Sequence, residues 1–249
     1  MIQDETILRA FVTGKTKEFL TAHPDWRGTA VDEKKISDLL QRRVKGEPLA
    51  YILGFKEFYG RKFRVSPDVL IPRPETEFLV DIAKELSPKK IVDVGTGSGC
   101  IAISLALELP KTEVEAVDLS EKALVVAEEN SLTLGAKVRF YQSDLLDKVE
   151  GNFDLVVANL PYVSRKWEWT GPELAFEPEQ ALFTEDEGLA IIKRLIEQID
   201  VRGCCKYLLL ELDSSQKEEV GRFGERHNYN VVKTGVQSEY ALLLEYNRK

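Results

Sequence analysis

Ile91-Val92-Asp93-Val94-Gly95-Thr96-Gly97-Ser98-Gly99-Cys100 decides the fold. Ile91 to Val94 is an apolar run of strand length, and three glycines at alternate positions follow it at once. Residues 101–109 then carry helical apolar spacing. Glycines at the carboxyl end of a strand let the chain turn tightly and let a ligand approach the backbone. The same alternation continues outward. Val114-Glu115-Ala116-Val117 is the next strand, and Ser120 caps a helix with Leu124, Val125 and Ala127 among its apolar positions. Strands follow at 138–141 and 155–158, a helix near 189–199, a strand at 207–212 and a helix at 215–227. Two closing strands, 230–233 and 240–246, are separated by a short turn containing Gly235 and should pair antiparallel. The pattern predicts an α/β fold with a doubly wound, largely parallel sheet and an antiparallel closing strand.

Upstream of this unit the chain changes character. Residues 1–45 read as a small helical module, with Ile7, Phe11, Phe19 and Leu20, then Val31, Ile36, Leu39, Leu40 and Val44, near helical spacing. Asp32 is expected to cap its second helix, and Gly14 and Pro24 mark breaks. In residues 46–75, Phe55, Phe58, Tyr59, Phe63 and Val65 interleave with Gly54, Gly60 and charges, as in a hairpin, before the extended Ile71-Pro72-Arg73-Pro74. The expected division is a helical domain over 1–50, a hairpin and extended linker over 51–76, and a catalytic domain over 77–249.

Composition narrows the function. Of 249 residues, 43% are hydrophobic, enough for a sizeable core, yet no apolar run approaches a membrane span. Met1-Ile2-Gln3-Asp4-Glu5 is acidic and lacks the apolar stretch of a secretory signal. Cys100, Cys204 and Cys205 offer no CxxC spacing, so neither a metal site nor a disulfide framework is expected, and a cytoplasmic location is. The net charge of −8 argues against direct nucleic-acid binding. It is uneven: residues 1–75 carry +3 and residues 76–249 carry −11. The N-terminal part therefore suits an acidic partner.

The glycine loop is G-x-G-x-G, with Cys100 where the dinucleotide fingerprint has its third glycine. It has no Lys-Ser/Thr pair, so it is not a phosphate-binding loop. Asp93-Val94-Gly95-Thr96-Gly97-Ser98-Gly99 resembles motif I of class I methyltransferases, whose cofactor, S-adenosyl-L-methionine, needs close backbone contact and has no phosphates. Asp118, nineteen residues after Gly99, can accept hydrogen bonds from both ribose hydroxyls. Asp144 can take the adenine amino group, and Leu145 can pack on the ring. Asn159-Leu160-Pro161-Tyr162 ends the fourth strand. The Asn159 side-chain oxygen and the Leu160 carbonyl can accept from an amide or amino N–H, Pro161 stiffens the loop, and Tyr162 offers a flat face. An amide nitrogen is a poor nucleophile, so the chemistry reduces to positioning and electrostatic support. His23 and His227 lie outside both motifs.

Three further stretches carry a specific resemblance. Gly46-Glu47-Pro48-Leu49-Ala50-Tyr51-Ile52-Leu53-Gly54, Glu57-Phe58-Tyr59-Gly60 and Val69-Leu70-Ile71-Pro72-Arg73-Pro74-Glu75-Thr76-Glu77 resemble the release-factor glutamine methyltransferase family (HemK/PrmC type). The resemblance implies a helical bundle, a hairpin linker and a class I methyltransferase domain with a Rossmann-like sheet. It implies methylation of the glutamine side-chain amide in the Gly-Gly-Gln motif of peptide-chain release factors, leaving S-adenosyl-L-homocysteine, by an enzyme expected to be a monomer. It places Gly95 to Gly99, Asp118 and Leu145 at the cofactor, Asn159 to Tyr162 at the glutamine, and Arg73-Pro74-Glu75-Thr76 in a loop closing over the site. Leu160 stands where the family usually has proline, Glu211-Leu212-Asp213 where it commonly has Glu-Ile-Gly, and the turn at 183–187 lacks the usual glycines. Asn-Leu-Pro-Tyr also occurs in ribosomal-RNA adenine dimethyltransferases, so methylation of a nucleic-acid adenine stays open, as do a ribosomal-protein glutamine substrate and an inactive binding protein.

Overall fold

The computed structural model describes residues 2–167, 171–236 and 238–247. It begins with helices α1 (Ile2–Thr13), α2 (Lys17–Ala22), α3 (Ala30–Val44) and α4 (Leu49–Leu53). Thr29, rather than Asp32, is the N-cap of α3. Thr29 Oγ1 accepts from the Asp32 amide, and Asp32 Oδ2 accepts from the Thr29 amide. Asp32 is thus the third residue of a capping box, the position from which a carboxylate reaches back to the cap. Helix α4 was expected to be hairpin or extended chain. Its apolar segment buries Tyr51 and Ile52, Pro48 precedes it with φ already set, and Gly54 ends it at φ 80°. It spans the expected boundary at residue 50.

The hairpin pairs β1 (Phe55–Phe58) with β2 (Arg61–Arg64) through Tyr59 and Gly60, both at positive φ, as a two-residue hairpin turn requires. Phe58 and Phe63 are fully buried and meet edge to face at 6.0 Å. Then follow α5 (Glu77–Leu86), β3 (Lys90–Val94), α6 (Cys100–Glu108), β4 (Glu113–Asp118), α7 (Glu121–Leu134), β5 (Arg139–Gln142) and β6 (Phe153–Ala158). Ser120 caps α7 as expected, its hydroxyl accepting from the Ala123 amide. Next are the two-residue strand β7 (Val163–Ser164), the single turn α8 (Glu179–Leu182), the two-residue strand β8 (Phe183–Thr184) and the single turn α9 (Glu185–Gly188). Finally come α10 (Ala190–Arg202), β9 (Cys205–Glu211), α11 (Lys217–Arg226), β10 (Tyr229–Val232) and β11 (Ala241–Tyr246).

Seven strands form one sheet in the order β10-β11-β9-β6-β3-β4-β5, with β11 antiparallel to both neighbours. This is the expected doubly wound class I methyltransferase sheet. Side chains alternate between its faces. Ile91, Leu155, Val157 and Leu209 face α5, α6 and the hairpin phenylalanines. Val92, Val94, Val156, Leu208 and Leu210 face Ile192, Leu195, Ile196 and Ile199 of α10. Helices on both faces explain why the central strands read as continuous apolar runs. Among the described residues no helix is long and apolar enough to cross a membrane.

Asn130, buried in α7, joins the linker to the glycine loop. Its Oδ1 accepts from the Arg64 amide at 2.7 Å, and its Nδ2 donates to the carbonyls of Arg64 and Ser98 at 3.0 and 2.9 Å. Replacement by alanine strands three backbone groups, the Ser98 carbonyl buried and the two of Arg64 part-buried, so Asn130→Ala should lower unfolding free energy by about 1–3 kcal/mol in chemical denaturation.

Candidate active site

At the carboxyl edge of the sheet, Val94 of β3 is in register with Ala158 of β6, and Ala158 with Leu210 of β9. The next residues along are Gly95, Asn159 and Glu211, so three loops of different sequence origin converge there. The turn after β3 is held from two sides. The amides of Gly95 and Thr96 donate to the Val117 carbonyl of β4, and the Gly97 amide donates to Asp118 Oδ2 at 2.8 Å. Asp118 Oδ1 accepts from the Ser120 amide at 2.9 Å. Burial raises the Asp118 carboxyl despite these hydrogen bonds. Asp93 is fully buried beneath the loop, where its Oδ2 accepts from Thr96 Oγ1 at 2.6 Å and from the Ala102 amide. Burial pushes its carboxyl up to about 7.

The glycines have different reasons to be glycine. Gly95, at φ 76°, lies against Leu160, where a Cβ would meet Leu160 Cδ2 at 2.9 Å. Gly99 packs on Ile103 and Ala127 in the same way. Gly97, at φ 55°, has open space where its Cβ would stand, so a ligand can lie on its backbone.

About 730 Å³ of empty space, open solvent included, lies in the cleft above this loop. Gly95, Thr96, Gly97, Ser98 and Asp118 form its floor, and Asn159 and Pro161 one wall. The residues on the opposite side come from the linker, Asp68 to Leu70, Pro72, Arg73 and Thr76, and from Pro178, Gln180 and Ala181. The linker is held down by buried groups. Tyr51 Oη donates to the Val69 carbonyl at 2.6 Å, the Ile71 amide donates to Glu177 Oε2 at 3.1 Å, and Arg73 pairs with Glu177 Oε1 at 2.5 Å. The Cys100 thiol at the cleft wall is pushed up to about 12 by burial, so it is no nucleophile near neutral pH.

On the acceptor side, Asn159 Nδ2 donates to Thr76 Oγ1 at 3.1 Å, and Tyr162 Oη donates to Glu211 Oε1 at 3.3 Å. Gln216 Nε2 clamps the loop by donating to the carbonyls of Tyr162 and Glu187. Gly188 is forced by the same crowding, since a Cβ there would lie 2.1 Å from the Tyr162 carbonyl oxygen.

This geometry agrees with what known proteins resemble the chain. The family described as PrmC N-terminal domain matches residues 3–54, and that described as Methyltransferase small domain matches residues 74–177. A release factor glutamine methyltransferase of Koribacter versatilis is 43% identical over 204 residues, covering 78% of this chain and 72% of that protein. The chain belongs to the release factor glutamine methyltransferase family. Another member, from Salmonella typhimurium, is 38% identical over 93% of this chain and 86% of its own. Among solved structures, a ribosomal protein L11 methylase from Lactobacillus delbrueckii superposes with a TM-score of 0.54 at 21% identity, covering 78% of this chain and 89% of that one. The Thermus thermophilus 16S rRNA N2 G1207 methyltransferase, solved with AdoMet and guanosine, gives 0.57 at 16%, covering 78% and 50%. At those identities the likeness is one of fold.

Within this family framework the expected site residues separate into two groups. Gly95 to Ser98, Asp118, Asn159 and Pro161 meet at the cleft. Gly99 supports it from behind as the left-handed N-cap of α6. Leu160 and Tyr162 point the other way along the extended loop. Leu160 is buried under Gly95, and the Tyr162 ring packs against the core and not into the cleft. Asp144 and Leu145 do not line the cleft either. Asp144 is half exposed and forms an ion pair with Arg194 of α10, and Leu145, at φ 47°, is buried in the core. Thr76 belongs to the loop expected over the site, whereas Asn130, Glu177, Glu211 and Gln216 were missed because each acts across more than twenty-five positions of sequence.

Gly95→Ala should weaken binding of S-adenosylhomocysteine by about tenfold or more in calorimetry, since the new methyl displaces Leu160 and φ 76° disfavours alanine. Gly97→Ala has only the backbone term in the free protein.

Proposed function

We propose that this chain is a protein-(glutamine-N5) methyltransferase that transfers a methyl group from S-adenosyl-L-methionine to the glutamine amide of the Gly-Gly-Gln motif in peptide-chain release factors. The observation that carries the reading is the pinned Asn159 amide beside the glycine loop. With Nδ2 occupied by Thr76, Oδ1 is the end that can accept an N–H from a substrate amide. The Leu160 carbonyl is the second acceptor, and Pro161 restricts the backbone that presents it. The cofactor fits the floor of the cleft. Gly97 leaves its backbone accessible, and Asp118, an acceptor-only carboxylate on the cleft floor, can take ribose hydroxyls. Bound S-adenosyl-L-methionine supplies an electrophilic methyl group on a sulfonium.

The chain's own part is to orient the glutamine nitrogen toward that methyl group and to exclude other poses. The two carbonyl acceptors stabilise the N–H groups as positive charge grows on the nitrogen. The N-methylated amide cation is strongly acidic and releases its proton to water, so no side-chain base is needed. Asn159→Ala should lower kcat/KM by about a hundredfold or more while cofactor affinity is retained. A side-by-side assay of release factor, ribosomal protein and ribosomal RNA, with the modified atom located by mass spectrometry, tests the substrate. Methylation of RNA alone would favour an adenine-directed enzyme, the reading that Asn-Leu-Pro-Tyr also permits.

The helical module over residues 1–50 is the proposed recognition element for the release-factor body, with the catalytic domain over 77–249 taking the glutamine. Its exposed Lys34, Lys35 and Lys45 supply the positive face. Reversing Lys34 and Lys35 to glutamate should raise KM for intact release factor by about threefold to tenfold and leave KM for a short Gly-Gly-Gln peptide unaltered. Three buried, unpaired thiols suit a reducing, cytoplasmic location.

A further inference from the structure

Glu211 ends β9 and is almost wholly buried, and no ion pair among the described residues includes it. Taking a carboxylate out of water without a cation is unfavourable, and a leucine or glutamine would fill the same space at lower cost. What surrounds it is a set of donors from the acceptor loop and linker. Tyr162 Oη donates to Oε1 at 3.3 Å and Oε2 has no hydrogen-bond partner, while Asn159, next after the register pair Ala158–Leu210, stands beside it with its Nδ2 on Thr76 Oγ1. We propose that Glu211 is a positioning residue, whose ionised carboxylate keeps the NH2 end of Asn159 turned inward so that Oδ1 faces the glutamine amide. This rests on the proposed function and names the group that sets its specificity.

The reasoning is one of complementarity. A primary amide presents N–H donors, so an Asn159 rotated by half a turn would set NH2 against NH2 and lose the substrate. Thr76 alone cannot enforce the rotamer, because a hydroxyl both donates and accepts. An ionised carboxylate only accepts, so it can face only the NH2 end. Protonation would turn one of its oxygens into a donor and release that constraint. Burial raises the Glu211 carboxyl to about 7, the hydrogen bonds from Thr76, Tyr162 and Asn159 oppose the rise, and the charge of Glu75 adds to it. Asp213 and Arg73 act on the adjoining Tyr162, and Cys100 of α6 feels the charge of Glu211 itself. The sign follows: positioning is intact above about 7 and is lost as pH falls through that value. Asp93 titrates in the same range but sits under the cofactor loop, so its effect falls on cofactor affinity.

The experiment is steady-state methylation of a Gly-Gly-Gln peptide at saturating cofactor from about pH 5.5 to about pH 9, alongside calorimetric binding of S-adenosylhomocysteine and melting temperature at each pH. For the wild-type chain, kcat/KM should fall as pH drops through about 7 without a matching fall in cofactor affinity or melting temperature. Glu211→Gln cannot titrate, so it should lose that acid limb, and because its amide both donates and accepts it should hold kcat/KM near the low-pH level at every pH. Glu211→Leu offers no acceptor and should raise peptide KM by roughly tenfold to a hundredfold at every pH, with cofactor affinity retained. A flat wild-type profile, an unaltered acid limb in Glu211→Gln, or a wild-type KM in Glu211→Leu would each overturn the proposal. Should Glu211→Leu fail to fold, the wild-type and Glu211→Gln profiles still decide it. Absence of methylation by the wild-type chain at every pH would overturn the proposed function as well, whereas methylation with a flat profile overturns this inference alone.

Discussion

Leu160 Cδ2 occupies the place where a side chain on Gly95 would begin. Because β3 and β6 are parallel neighbours in register, the glycine turn and the Asn159 turn leave the sheet side by side. Removing the Cβ from one lets the other close over it. A methyl transfer between two bound molecules demands this adjacency, since reactants must meet within van der Waals distance and in line. Leucine at 160 also meets the requirement in its own way. Its apolar side chain is buried against the glycine, and its backbone carbonyl remains available, so the proline usual in the family is not needed to place the loop.

The site is built at the expense of stability. Asp93 and Glu211 are buried carboxyls raised to about 7, and each leaves one oxygen without a protein partner. Asp186 and Glu187 adopt positive φ, a conformation that favours glycine, in the turn that Gln216 ties to Tyr162. Burial, backbone strain and unpaired polar atoms therefore gather around the acceptor loop, whereas the sheet behind it is filled by aliphatic side chains on both faces. A rigid apolar platform is what allows a few unfavourable polar arrangements to persist at its edge.

Residues 68–76 line the cleft, yet they are fixed by groups far along the chain: Tyr51 at the Val69 carbonyl, Glu177 at Ile71 and Arg73, and Asn159 at Thr76. The hairpin before them is sewn to the glycine loop through Asn130. The helical module, the linker and the cofactor floor are thus mechanically continuous.

The sequence by itself left α5, β7, β8, α8 and α9 unread, but it determined the alternation of the main strands and helices from β3 onward and set the glycine loop, Asp118 and the Asn159 turn at strand ends. These are local: apolar periodicity, positive-φ demands and cap chemistry act within a few residues, and they are written where they act. Asp32 and α4 show the limit of that legibility, since a carboxylate three residues into a helix reads much like a cap and a five-residue helix has too few turns to show a period. Only the tertiary structure decided that Asp144 turns to Arg194, that Leu145 and Tyr162 turn inward, and that Glu211, Thr76 and Gln216 surround the acceptor loop. Those outcomes depend on which partner is nearest in space. Sheet order sets that distance, and no local pattern records it.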